Sequence, residues 1–216
     1  MQRGAIILCG GTNRRMGADK GLLPFGPDEV MLQRVARLIG QVVANHRIVC
    51  VAAAGQPLPP LAAGLRVVRD RQPRRGPLEG LAVGLAALAG EVEAVFVTSC
   101  DVPLLVPALI ERMFSLLGDY EMVVPQDGPF FHPLAAVYRT DLLAAVERRL
   151  AADQLRLSDL LENCRTRAVP VAELRAVDPT LSSLTVCNNP DQYQQTLQQA
   201  GLETLPSRLP APGKEV

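Results

Sequence analysis

Residues 5 to 20 read Ala5-Ile6-Ile7-Leu8-Cys9-Gly10-Gly11-Thr12-Asn13-Arg14-Arg15-Met16-Gly17-Ala18-Asp19-Lys20. The stretch opens on an unbroken apolar run, Ala5 to Leu8, which predicts a strand buried on both faces. It passes directly into a glycine-rich loop. Gly10 and Gly11 allow a tight turn and bring bare N–H groups close to an anion. Arg14, Arg15 and Lys20 add fixed positive charge within the same loop. In an open α/β sheet, a loop leaving the carboxyl end of a strand is where ligands sit. The spacing is neither G-x-G-x-x-G nor G-x-x-x-x-G-K-[ST], so the dinucleotide-fingerprint and P-loop readings fail. A solvated turn with incidental charges is the alternative, but the glycines and cations behind one strand favour a phosphate site.

Beyond the loop, short apolar runs alternate with helical spacing. Apolar residues at positions 32, 35, 38, 39, 42 and 43 predict a helix over Val30 to Ala44. Arg47 to Val51 and Leu65 to Val68 read as strands. Pro77 to Ala89 reads as a helix with proline at its first position. Ala94 to Thr98 is a fourth strand and Pro107 to Leu117 a further helix. Strands separated by helices imply right-handed crossovers and a mostly parallel sheet. In the second half, Glu121 to Pro125, Leu134 to Arg139, Arg167 to Val171 and Leu184 to Cys187 are expected strands. Asp141 to Ala152 and Pro190 to Ala200 are expected helices. No repeat or compositional linker interrupts the chain. Residues 1–204 are therefore expected to form one α/β domain, with a proline-containing tail over 205–216 that is expected to be disordered.

Composition narrows the function classes. The chain has 216 residues, enough for a sizeable core, and is 48% hydrophobic and 20% charged. Lys plus Arg and Asp plus Glu both number 22, giving no net charge and no broad cationic surface for nucleic acid. With no Trp, three Tyr and five Phe, base-stacking platforms are poorly supplied. No apolar run approaches the ~20 residues needed to span a bilayer, and the apolar stretch near the N-terminus is too short for a signal peptide. Cys9, Cys50, Cys100, Cys164 and Cys187 are odd in number and widely spaced, which fits neither a disulfide framework nor a zinc site. A reducing cytoplasm is the expected compartment.

The loop resembles the signature L-A-G-G-x-[ST]-x-R-M-G-x-D-K of nucleotidyltransferases of the molybdenum cofactor guanylyltransferase type. Leu8, Gly10, Gly11, Arg15, Met16, Gly17, Asp19 and Lys20 match it, while Cys9 replaces the usual alanine. The resemblance continues through Gly76-Pro77-Leu78-Glu79-Gly80, Cys100-Asp101-Val102-Pro103, His132-Pro133 and Asn188-Asn189-Pro190. It implies a Rossmann-like three-layer fold with a mostly parallel central sheet. It also implies Mg²⁺-dependent transfer of GMP from GTP to molybdopterin, with release of pyrophosphate. Molybdoenzyme-maturation proteins are the partners it implies.

Individual residues carry this expectation unequally. Asp101 follows the fourth strand, where one carboxylate can hold Mg²⁺ while phosphate oxygens and water complete its shell. In the family this aspartate is the metal ligand. Leu8, Gly10, Gly11, Lys20 and Asp101 are expected around the nucleotide, with Arg15 and Lys20 stabilising charge on the phosphates. Gly76, Pro77, Leu78 and Gly80 open a helix whose free N–H groups favour an anion, and the resemblance implies ribose and phosphate contacts there. Asp70 can accept from a base's N–H groups or simply cap a turn. His132 and Asn188 are implied on the pterin side. His46 is read as the end of a helix, and Cys100 as a packing residue.

Two departures stand out. Val186 occupies a position where the family has an asparagine, and Val51 to Gly55 lacks the family's amide side chain. Cytidylyl or other nucleotidyl transfer, to molybdopterin or another phosphorylated acceptor, and a non-catalytic cofactor carrier are the alternatives.

Overall fold

The computed structural model describes residues 1–10 and 19–202. Gly11, Arg14, Arg15, Met16 and Gly17 lie outside the described residues, as does the tail over 205–216. Among the described residues eight strands form one sheet: β1 Arg3–Leu8, β2 Ile48–Ala52, β3 Arg66–Arg69, β4 Ala94–Ser99, β5 Met122–Asp127, β6 Phe130–Phe131, β7 Ala135–Arg139 and β8 Thr166–Pro170. The helices are α1 Met31–Ile39, α2 Gly76–Leu88, α3 Pro107–Ser115, α4 Leu143–Ala151, α5 Val171–Leu174 and α6 Pro190–Gln199.

The sheet order is β3-β2-β1-β4-β7-β5-β6, with β8 paired to β5. The first four strands run parallel, and Ile7 sits between Cys50 and Thr98 in the register. Chain order reverses beside β1, since β2 and β3 lie to one side and β4 to the other. A crevice at the carboxyl ends of the strands follows from that reversal. The second half adds an antiparallel element. The α3 crossover makes β5 parallel to β4 but leaves a space between them, and β7 fills it antiparallel to both. No helix separates β5 from β7, so the short connection can only return antiparallel.

Alternation along β1 divides the core. Ala5, Ile7 and Cys9 pack beneath α1 and α3 with Leu32, Val35, Leu109 and Ile110. Ile6 and Leu8 point to the other face, against Leu78, Leu81 and Leu85 of α2 and Val146 of α4. Three layers result. The crossover helix lies unusually close to β1, because a Cβ on Gly84 would fall 2.6 Å from Ile6 Cδ1 and one on Gly80 would fall 2.9 Å from Leu8 Cδ2.

Three elements differ from expectation. The first helix stops at Ile39 rather than Ala44: Gly40 is a poor helix residue, and the chain closes in tighter turns before β2. His46 therefore lies in a 3₁₀ turn, Asn45–Arg47, instead of ending a helix. The stretch Leu184 to Cys187 is not a strand. The buried Asp178 carboxylate accepts the N–H groups of Ser182 and Ser183 at 3.0 and 2.9 Å and curls the chain into a 3₁₀ turn. Cys187 keeps a single cross-chain bond, its N–H donating to the Asp101 carbonyl at 2.9 Å. Finally, Phe130–Phe131 forms a short strand, paired with Gln126 and Asp127 around Gly128 at φ +56°.

Candidate active site at the carboxyl ends of β1 and β4

Lys20 and Asp101 are 81 positions apart and meet at one ion pair, Lys20 Nζ to Asp101 Oδ2 at 2.7 Å. Lys20 is delivered by a 3₁₀ turn, Lys20–Leu22, whose first N–H groups include Gly21 N donating to Asp19 Oδ1. Asp101 is delivered by β4, and Ser99 Oγ, from the last residue of that strand, donates to its Oδ1. Both side chains are largely buried, at 17% and 10% exposure, so the pair is weakly screened and neither charge stands alone.

Asn188 completes this cluster. Its Oδ1 accepts a second hydrogen bond from Lys20 Nζ, also at 2.7 Å. The approach is organised by α6, whose N-terminus is capped by Asn189, and by Tyr193 and Leu197, which pack on Leu23, Phe25 and Met31. The Tyr193 hydroxyl donates to the Pro24 carbonyl and ties the same two segments. Val186, where the resemblance called for an asparagine, is partly buried and packs on the core instead.

A second group lies between β1 and α2. The half-buried Asp70 follows β3, and its carboxylate occupies the space over Gly10: a Cβ there would sit 2.9 Å from Asp70 Oδ2. The first turn of α2 lies alongside, with Asp70 Oδ1 3.8 Å from where a Gly80 Cβ would be. Among the described residues the Asp70 carboxylate has no hydrogen-bond donor. Burial pushes its pKa up, and the nearby Glu79 carboxylate adds to the effect. Glu79 itself is 3% exposed and is held by Arg71, which also reaches Glu147 on α4.

The N-terminus of α2 has no side-chain cap, and Gly76 there adopts φ +68°. Gly76 and Pro77 are exposed, whereas Leu78 is fully buried, so Leu78 offers the crevice its backbone N–H only. The close approach that requires glycine at position 80 is to Leu8 rather than to open space. Leu8 is 8% exposed, and its carbonyl accepts the Cys100 N–H.

His132 stands apart from this cluster. It is half-buried in the turn between β6 and β7, where its N–H donates to the Pro125 carbonyl and the fully buried Tyr138 hydroxyl holds the next carbonyl, of Pro133. Desolvation lowers its pKa, opposed by Asp127, so the neutral imidazole is favoured. No hydrogen bond joins it to Lys20, Asp101 or Asn188.

Two residues were not singled out from the sequence. Ser99 is one, detectable only as a hydroxyl two positions before Asp101. Gln56 is the other: it lies one residue past the stretch scanned for an amide, and its Nε2 donates to the Cys9 carbonyl at 2.9 Å and to Asp19 Oδ2 at 2.6 Å. The thiols contribute packing. Cys9 is buried against Cys50, and hydrogen bonding with Cys100, then with Cys50, together with burial, drives its pKa well up.

Among the described residues no group of three or more His, Cys, Asp or Glu side chains is placed to hold a metal ion. No helix among the described residues is long and apolar enough to cross a membrane.

The profile of the MobA-like NTP transferase domain matches residues 5–169. A protein of Mycobacterium tuberculosis strain H37Rv named "Probable molybdenum cofactor guanylyltransferase" is 37% identical over 174 residues, covering 79% of this chain and 84% of its own length. One of the same name from Pelotomaculum thermopropionicum is 35% identical over 178 residues, covering 82% and 83%. Among solved structures, the molybdopterin-guanine dinucleotide biosynthesis protein A of Archaeoglobus fulgidus superposes with a TM-score of 0.74 at 19% identity, over 93% of this chain and 99% of that one.

Proposed function

The chain belongs to the MobA-like NTP transferase family of nucleotidyltransferases, and on that premise we propose that it transfers GMP from GTP to molybdopterin. The observation that carries the reading is the meeting of Lys20, Asp101 and Asn188 at the crevice beside β1. The acceptor is a phosphate, already ionised, so no general base is needed. Catalysis reduces to positioning the reactants and neutralising charge.

In this reading the glycine loop, including Gly11 and Arg15, cradles the triphosphate. Lys20 stabilises charge that develops on the α-phosphate and on the departing pyrophosphate. Asn188 aims the Lys20 ammonium, and Ser99 orients the Asp101 carboxylate. Asp101 would hold a divalent ion, Mg²⁺ being the best fit to a single carboxylate plus phosphates, and that ion would supply Lewis-acid charge neutralisation. The uncapped start of α2, from Gly76 to Gly80, offers N–H groups to ribose or phosphate.

Asp70 favours guanine. A carboxylate accepts two hydrogen bonds side by side, and guanine presents two adjacent donors, N1–H and the 2-amino group, where cytosine has only its 4-amino group. His132, neutral and half-buried, stands as the pterin-side contact, and molybdoenzyme-maturation proteins as later recipients of the product. The test is a thermal-shift comparison of GTP, CTP, ATP and UTP with and without Mg²⁺. At 100 times the dissociation constant, a ligand stabilises the native state by about 2.7 kcal/mol. A selective, Mg²⁺-enhanced shift with GTP is expected. A selective shift with CTP would move the assignment to cytidylyl transfer, and no shift with any nucleotide would favour a non-catalytic carrier.

A further inference from the structure

Gln56 makes three side-chain hydrogen bonds, and two of them go to residues beside the candidate active site. Its Nε2 donates both to the Cys9 carbonyl and to Asp19 Oδ2, at 2.9 and 2.6 Å. Its Oε1 accepts the Ala53 N–H at 3.0 Å. Cys9 and Asp19 are ten positions apart in the sequence, and this single nitrogen holds both. The remaining oxygen of Asp19, Oδ1, accepts the Gly21 N–H and caps the turn that carries Lys20. Gln56 is itself anchored. Arg69 Nη1, at the end of β3, donates to the carbonyls of Ala53 and Gln56 at 2.9 and 2.7 Å.

We propose that Gln56 is a positioning residue whose amide clasps Cys9 to Asp19 and so fixes the orientation of the turn that delivers Lys20 to the phosphates of the nucleotide. The inference rests on the nucleotidyl-transfer reading for its consequence, but not for its geometry. An amide suits the role because it donates twice from one atom and accepts at the other. A carboxylate at this position would face Asp19 Oδ2 with like charge. Asp70, across Gly10, adds to that repulsion, and the Arg69 guanidinium on the Ala53 and Gln56 carbonyls opposes it. Two carboxylates at such a distance share one proton at lower pH, which restores the bond to Asp19 but not the one to the Cys9 carbonyl.

The Gln56→Glu variant therefore converts the clasp into a pH-dependent one, while Gln56→Met removes it at every pH with little change in length. Amide exchange at Ala53 and Gly21, whose N–H groups are bonded to Gln56 Oε1 and Asp19 Oδ1, reads the clasp without reference to activity. Binding of GTP and of inorganic tripolyphosphate reads its consequence. For Gln56→Glu at pH 8, both amides should exchange about tenfold faster than in wild type, with phosphate affinity weakened about tenfold, as for the loss of one hydrogen bond to a charged group. At pH 5.5 both should recover part of the way, because the proton restores one of the amide's two donated bonds, and Gln56→Met should be impaired at both values. Wild-type exchange in Gln56→Glu at pH 8 overturns the clasp. Faster exchange with unaltered phosphate affinity overturns its positioning role. A wild-type protein that binds neither GTP nor tripolyphosphate would overturn the functional reading, while the amides would still decide the clasp.

Discussion

Asp70 carries its charge where neither burial nor its neighbour Glu79 favours it, which gives a stability test independent of catalysis. As pH rises, the unfolded chain releases this proton first, so the native state holds more protons between the ordinary value of 3.8 and the raised native one. Stability is lost as pH rises through that window, and the deficit persists above it. Asp70→Asn should therefore raise the Tm of the nucleotide-free protein at neutral pH, approach wild type at acid pH and weaken GTP binding. A variant less stable than wild type at pH 7 would contradict the assignment. Lys20 and Asp101 make the complementary case. Lys20→Ala should lower turnover by about 10²–10³-fold, the scale for losing one preorganised donor to a developing charge. It should also cost about 1–3 kcal/mol, because it leaves the 10%-exposed Asp101 carboxylate without its cation. Adding Asp101→Asn should restore stability in urea unfolding but not turnover. If the double variant regained activity, the roles given to this pair would be wrong.

Helix α2 is where an element's packing and the site's shape depend on the same residues. Gly84 allows the helix to rest on Ile6, whose Cδ1, Cγ2 and Cγ1 would lie 2.6, 2.7 and 2.8 Å from an added Cβ. All three belong to a fully buried side chain with no room to turn, so Gly84→Ala should cost about 1–3 kcal/mol by overpacking. Gly80→Ala should cost less, because the atom it meets at 2.9 Å is the far end of the Leu8 side chain. Chemical unfolding checks the order, and a Gly80→Ala variant less stable than Gly84→Ala would contradict this packing. The glycines of this helix were legible as glycines, but their packing partners on β1, Leu8 for Gly80 and Ile6 for Gly84, were not. Local patterning named most elements because apolar runs and helical periodicity survive tertiary context. It failed at Leu184 to Cys187, where the carboxylate of Asp178 supplies hydrogen bonds that an apolar pattern does not encode. It missed β6, since two residues are too short for any periodicity.

At the scale of the molecule, β1 holds the arrangement together: neighbours on both sides, helices on both faces, and the crevice at its carboxyl end. Reading Ala5 to Lys20 was enough to place the crevice, because a doubly buried strand followed by glycines leaves few topologies open. The loop, Asp101 and Asn188 were legible as motifs. That Asn188 stands on Lys20 was not, since 168 residues separate them and only the packing of α6 against Leu23, Phe25 and Met31 brings them together. Gln56 was invisible for the same reason, as its partners Cys9 and Asp19 lie 47 and 37 positions away in the sequence. The most direct test of guanylyl transfer is to incubate the protein with GTP, Mg²⁺ and molybdopterin and quantify pyrophosphate alongside the dinucleotide by mass spectrometry. One pyrophosphate per guanine dinucleotide is expected, lost on chelation of the metal and absent with CTP, ATP or UTP. Pyrophosphate release with another nucleotide but not with GTP, or with none of the four, would contradict it.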